Sequence, residues 1–256
     1  MNIDIKTLRE QGIYVARQMV DSTLVDEIKN EVNQIFDENN PEKLGSSINI
    51  AALKPEHLTM YEAEQIQIQK EYINFHLTRE QFAQGCASYR HITNGRSITQ
   101  PLINLPSAWK LIKNYPFYEI SSEYFEQKSK LGFVKTRRYF VNNLPKCDTS
   151  LFHYDDNSTH LLKAIMYLND IDINGGPFVY VPESHNNIVS STQNMKYSRN
   201  DDEVETYYGK DAIHYITGKR GDVIFVNTLG IHRGNHPKSQ DRNVLFLNFV
   251  LKPEYE

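Results

Sequence analysis

Apolar positions near the start of the chain change period within a few residues. "GIYVARQMV" is a short extended run, and "DSTLVDEIKNEVNQIF" then spaces Leu24, Val25, Ile28, Val32, Ile35 and Phe36 at helical intervals. That spacing predicts an amphipathic helix burying one face, with Asp21, Ser22 and Thr23 available to cap its first N–H groups. "PSAWKLIKNYPFYEISSEYFEQ" predicts two short helices broken at Pro116, because proline lacks the N–H that a helix interior needs. "MYEAEQIQIQKEYINFHL" is polar and compatible with a further helix.

From about Lys135 the texture changes to short β-branched and aromatic runs separated by turn residues. "TRRYFVN", "HLLKAIMYLND", "PFVYVP", "IHYIT", "DVIFVN" and "NVLFLNFVL" each predict a strand, with "DINGGP" and "GKRGDV" as turns between them. Closely spaced strands of this kind point to a sandwich or barrel, not to alternating βαβ units. Residues 186–211, polar and without a clear period, form a long insert of the kind that serves as a lid or binding loop. Nothing marks a linker, so residues 1–256 are expected to form one domain. Its 1–130 part would be mostly helical and pack on a sheet, and 131–256 would carry the β core.

Composition narrows the function classes. A net charge of −4, with charged residues at 23%, gives no basic face for nucleic acid, and the local group Lys135, Arg137 and Arg138 is too small to alter that. The two cysteines, Cys86 and Cys147, make no disulfide framework, and "MNIDIKTLREQG" lacks the apolar stretch of a signal peptide. A cytoplasmic protein with neither a membrane span nor an obligate protein partner is the expectation. Sixteen tyrosines among 39% hydrophobic residues favour a wet, aromatic-lined pocket.

The candidate chemistry lies in two stretches. "FHYDDNSTH" holds His153 and Asp155, which share a strand face because side chains alternate with a period of two; Asp156 would point away. "GDVIFVNTLGIHRGNHPKSQDRNVLFLNFV" supplies His232, and Arg242 stands ten residues later at the start of the last strand. His236 precedes Pro237 in a loop and reads as a surface histidine. Two histidines and a carboxylate are the ligand set that leaves open positions on a non-haem Fe(II) ion. The planar fork of an arginine matches the far carboxylate of a dicarboxylic acid. Tyr139 and Arg138, on the preceding strand, are further candidates for co-substrate and substrate contact respectively.

In order, "HYD", "MYLNDIDINGGPFVYVPESH", "GDVIFVNTLGIHRG" and Arg242 resemble the phytanoyl-CoA dioxygenase family, over about 137–251. "LREQGIYVARQMVDSTLVDEIKNEV" is similar to that family's usual opening. The resemblance implies a mainly β fold with flanking α-helices, a double-stranded β-helix of jelly-roll, cupin-like type. It implies Fe(II) on His153, Asp155 and His232, with 2-oxoglutarate and O2 as co-substrates. The implied reaction hydroxylates an aliphatic C–H of a small, polar molecule and releases succinate and CO2. Halogenating relatives carry a small residue where Asp155 stands, so hydroxylation is expected instead. Two departures are Glu183 in place of the family's glycine and Phe152 in place of an aromatic Trp. Rival readings are an oxygen-independent metalloenzyme, which has no use for Arg242, and a non-catalytic jelly-roll that binds carbohydrate.

Overall fold

The computed structural model describes residues 3–38, 43–45, 95–98, 101–141, 146, 148–155, 161–186 and 199–251. The helix expected over 60–77, both cysteines, Asp156, His57, His76, His91, His160 and positions 187–198 of the insert lie outside these residues.

Helix α1 (Ile5–Gln11) is capped by Asp4, whose carboxylate accepts from Thr7 N at 2.9 Å, and ends at Gly12 with φ 74°. Only glycine serves at position 12, since a Cβ there would come within 2.2 Å of Tyr180 Oη. β1 (Ile13–Ala16) follows, then α2 (Ser22–Glu38), where Asp21 accepts from Leu24 N at 3.0 Å. The buried stripe of α2 is the expected one: Leu24, Val25, Ile28, Val32 and Ile35, with Phe36 partly buried beside it. β2 (Leu44–Gly45) and β3 (Gly95–Ile98) come next, followed by α3 (Pro101–Asn104), α4 (Pro106–Asn114) and α5 (Phe117–Phe125). The break between α4 and α5 falls at Pro116, as the sequence requires.

The remaining strands are β4 (Ser129–Tyr139), β5 (Leu161–Tyr167), β6 (Phe178–Tyr180), β7 (His214–Ile216), β8 (Val223–Val226), β9 (His232–Gly234) and β10 (Arg242–Leu251). Seven strands form the major sheet in the order β1-β8-β5-β10-β4-β3-β2, and three form the minor sheet in the order β7-β6-β9. Every pairing is antiparallel, and the isolated bridge between His153 and His232 extends the minor sheet beyond β9. Two facing antiparallel sheets with helices on one outer side are the double-stranded β-helix the resemblance implies. Among the described residues of the N-terminal part, β1, which is the expected extended run, and β2 and β3 complete both edges of the major sheet. "GIYVARQMV" is too short to predict its own strand partner.

Alternation along β10 divides the protein into two interiors. Leu245, Leu247 and Phe249 pack against the helices, where Phe249 stacks on Phe117 with ring centroids 6.3 Å apart. Burying each such side chain contributes roughly 1.5–3 kcal/mol. Val244 and its cross-strand partner Tyr167 face the minor sheet instead, packed with Phe178 and Tyr180.

Two sequence expectations change here. Residues 201–208 form a helix, α6 (Asp201–Tyr208), started by a capping box in which Asn200 and Glu203 satisfy each other's backbone N–H. Only Val204 is buried on it, so no apolar period announced the helix. Val204 packs with Phe152 and Val181 on the outer side of the minor sheet, so the described part of the expected lid does not cover the interior. Glu183 adopts φ 65°, the left-handed conformation for which glycine is the natural residue. Gln11 holds it there: its carbonyl accepts from Glu183 N at 2.9 Å and its amide donates to Glu183 Oε1 at 2.9 Å.

Candidate metal centre

His153 and His232 are brought side by side by backbone pairing. Each backbone N–H donates to the other's carbonyl, at 2.9 and 2.8 Å, and the ring centroids stand 4.4 Å apart. Two residues on, Asp155 N donates to Thr228 O at 2.8 Å, which keeps the carboxylate on the same face as His153. The result is a cluster whose ligand atoms all lie within 4.8 Å of one another.

The tautomers follow from the backbone. Nδ1 of His153 lies 2.8 Å from Leu151 O, and Nδ1 of His232 lies 2.8 Å from Gly230 O. A carbonyl only accepts, so both Nδ1 atoms carry the proton and both Nε2 atoms present a lone pair. Each Nε2 is 3.9 Å from an Asp155 oxygen. Burial, reinforced by the adjacent His153, pushes His232 well below the usual imidazole range, so its imidazole is neutral, as a metal ligand must be. Burial alone would raise Asp155, but the Lys163 ammonium ion-paired to it opposes burial and the net shift of the carboxyl is downward. This donor set, two neutral imidazoles and an ionised carboxylate, fits a divalent ion with open coordination positions.

Lys163, which the sequence reading passed over, is ion-paired to Asp155 Oδ2. It sits on β5 in the same inward register as Ile165 and Tyr167, and that period of two was the available signal.

A cavity of 180 Å³ runs from the His–Asp–His cluster to Arg242. The Arg242 guanidinium is 3% exposed, lies 4.1 Å from the Tyr139 ring centroid and donates through Nη1 to Gly176 O. Gly176 has φ +73°, and a Cβ there would come within 2.5 Å of Pro237 N, which explains the glycine in "DINGGP". Tyr139 lies between two guanidinium groups, since that of Arg137 is 4.8 Å from its ring centroid. Burial raises the Tyr139 phenol, but the surrounding Arg137, Arg242, Lys135 and Lys163 outweigh it and the net shift is downward.

Arg138 requires a correction. Its guanidinium donates to Asn243 Oδ1 at 2.8 Å and to Asn33 Oδ1 of α2, and it lies 4.1 Å from the Phe36 ring centroid. It therefore faces the helices, away from the cavity, because Arg138 and Tyr139 are adjacent on a strand and must point to opposite faces. The inward residues of β4 are Phe133, Lys135, Arg137 and Tyr139. His185 also stands apart, its Nε2 donating to Arg9 O at 2.8 Å. Arg233, 1% exposed beside the Phe152 ring, binds Asp201 at 3.3 Å and so fixes α6 against the minor sheet.

The profile of the phytanoyl-CoA dioxygenase (PhyH) family covers the stretch that carries this cluster. Residues 137–244 match the phytanoyl-CoA dioxygenase family. The match contains His153, Asp155, His232 and Arg242, so the resemblance read from the motifs is shown by the sequence profile as well. No curated protein sequence matches the chain. Among solved structures, the non-haem α-ketoglutarate-dependent epimerase SnoN from nogalamycin biosynthesis superposes with a TM-score of 0.62 at 12% identity, covering 96% of this chain and 79% of its own. HygX from Streptomyces hygroscopicus, solved with nickel, 2-oxoglutarate and hygromycin B, gives 0.56 at 14% identity over 97% of this chain and 86% of its own. EctD from S. alaskensis with bound Fe gives 0.57 at 17%, covering 96% and 75%. At these identities the structural likeness is one of fold.

Proposed function

We propose that this protein is an Fe(II)- and 2-oxoglutarate-dependent oxygenase that hydroxylates an aliphatic C–H of a small molecule. The observation that carries the reading is the pairing of two histidine Nε2 lone pairs and Asp155 with a buried arginine, Arg242, at the other end of one cavity. In this reading His153, Asp155 and His232 hold the metal, and Arg242 takes the far carboxylate of the keto acid, with Tyr139 against its guanidinium. When bound, Fe(II) and 2-oxoglutarate supply the oxidising power: O2 is consumed, the keto acid leaves as succinate and CO2, and one oxygen atom is placed on the substrate.

The chain's own residues position and insulate. The carbonyls of Leu151 and Gly230 fix both imidazole tautomers, and Lys163 orients the Asp155 carboxylate. Phe178, whose ring centroid is 5.6 Å from that of His232, helps shield the metal side of the cavity from water. Asp155 fills the position that a halide would need, which favours hydroxylation over halogenation. Structural relatives include an epimerase and the carbocyclase SnoK, so the fold accommodates other oxidative outcomes.

The test needs no substrate. Fe(II) and 2-oxoglutarate added without oxygen should give the weak visible charge-transfer band of the chelate, lost in Asp155→Ala and weakened in Arg242→Ala. Metal binding without that band would favour the oxygen-independent metalloenzyme, and no metal binding would favour the binding protein. Once a substrate is found, incorporation of labelled oxygen from O2 into product separates hydroxylation from epimerisation or ring closure.

A further inference from the structure

We propose that Arg137 and Lys135 form a second anion-binding subsite, which receives a carboxylate, phosphate or sulfate group of the substrate. This rests on the oxygenase reading, in which Arg242 is committed to the co-substrate.

Arg137 is only 6% exposed, lines the cavity, and has no acceptor within reach of Nε or Nη2 among the described residues. A buried N–H without an acceptor costs about 1–3 kcal/mol, and more on a charged group, so a guanidinium kept this way is prepared for an acceptor that arrives with a ligand. The β4–β10 register shows that this acceptor and the co-substrate carboxylate are separable. Tyr139 is opposite Arg242, Arg137 opposite Val244, and Lys135 opposite Phe246. Inner-face positions on a strand repeat every ~7 Å, so Arg137 and Lys135 stand roughly one and two such steps from Arg242, toward half-exposed Phe133. A five-carbon diacid stretched between the metal and Arg242 has no carboxylate left for the Nε and Nη2 groups of Arg137.

Charge leads to the same conclusion. Among the described residues lining the cavity, the side chains of Arg137, Lys163 and Arg242 face a single carboxylate, Asp155. A divalent metal and a dianionic co-substrate cancel each other, so these three cations still outnumber the carboxylate by two. Like charges crowded in a low-dielectric pocket repel strongly, and an anionic substrate relieves that repulsion. A neutral substrate would leave it in place.

The experiment is calorimetric titration of inorganic sulfate into Mn(II)-loaded protein held with saturating 2-oxoglutarate, which occupies Arg242. Sulfate should bind and raise the melting temperature. Arg137→Gln and Lys135→Gln should each weaken sulfate by about tenfold, with partial rescue in Arg137→Lys, while 2-oxoglutarate affinity changes by less than roughly threefold. Arg242→Gln should do the converse. The proposal is overturned if sulfate does not bind the wild type, or if Arg137→Gln weakens 2-oxoglutarate as much as Arg242→Gln does, which would give both arginines to the co-substrate. Lys135 is only partly buried, so Lys135→Gln tests the subsite even if Arg137→Gln does not fold. Sulfate binding that depends on Arg137 in a protein that takes neither metal nor 2-oxoglutarate would sink the oxygenase reading and leave the anion subsite standing.

Discussion

A Cβ on Gly234 would sit 3.2 Å from Nη2 of Arg242, so the residue two places after His232 is kept small by the arginine ten residues after it. Gly234 also pairs with Phe178 in the minor sheet, which leaves its backbone little freedom to move aside. Gly234→Ala should push the guanidinium off its position and weaken 2-oxoglutarate by about tenfold, or ~1.4 kcal/mol. Metal affinity should be unchanged, and calorimetry of each ligand separately decides it.

The metal should stabilise the protein through the three proposed ligands. At a free Mn(II) concentration of about a hundred times Kd the gain is ~2.7 kcal/mol, visible as a rise in melting temperature. Asp155→Ala, His153→Ala and His232→Ala should each abolish that rise, and chelator should reverse it in the wild type. A rise that persists in Asp155→Ala would place the ion elsewhere.

Arg138 joins α2 to the sheet through Asn33 and Asn243, and its role is to hold the helix. Arg138→Ala should cost about 2–3 kcal/mol, the value of charge-assisted hydrogen bonds, with 2-oxoglutarate affinity intact. Denaturant unfolding and co-substrate titration on one sample would show the separation.

Tyr167 bridges the two sheets, donating to Ile216 O at 2.6 Å and accepting from Phe178 N at 3.1 Å. Burial pushes its phenol up to about 12, against 10 in the unfolded chain. The folded state therefore keeps the proton that the unfolded state loses, and the contribution is fully present below pH 10 and lost as pH rises through 12. Stability should fall by up to ~1.4 kcal/mol per pH unit across that window, and less steeply in Tyr167→Phe. The same variant should lose about 1–3 kcal/mol at neutral pH, because a buried donor and acceptor are left unmet.

Local signals in the sequence determined a good deal. The period of α2, the break at Pro116 and the strand runs from β5 to β10 were legible because burial on one face imposes a repeat on the residues themselves. His153, Asp155, His232 and Arg242, which the structure brings to one cavity, could be picked out as candidates because ligand chemistry restricts residue type and their order matched a known pattern. Alternation should also have separated Arg137 from Arg138, and the structure shows which of the two faces the cavity.

Only the tertiary structure decided what depends on partners distant in sequence. Asn227 N donates to Gly12 O at 2.8 Å, Glu183 is held in a left-handed conformation by Gln11, and backbone pairing sets His153 against His232. Helix α6 is fixed by Arg233, which its own sequence could not foretell. A residue's type and period record how it meets its own element. The identity of the group it meets across the fold is set by sheet register, and register is a property of two segments at once.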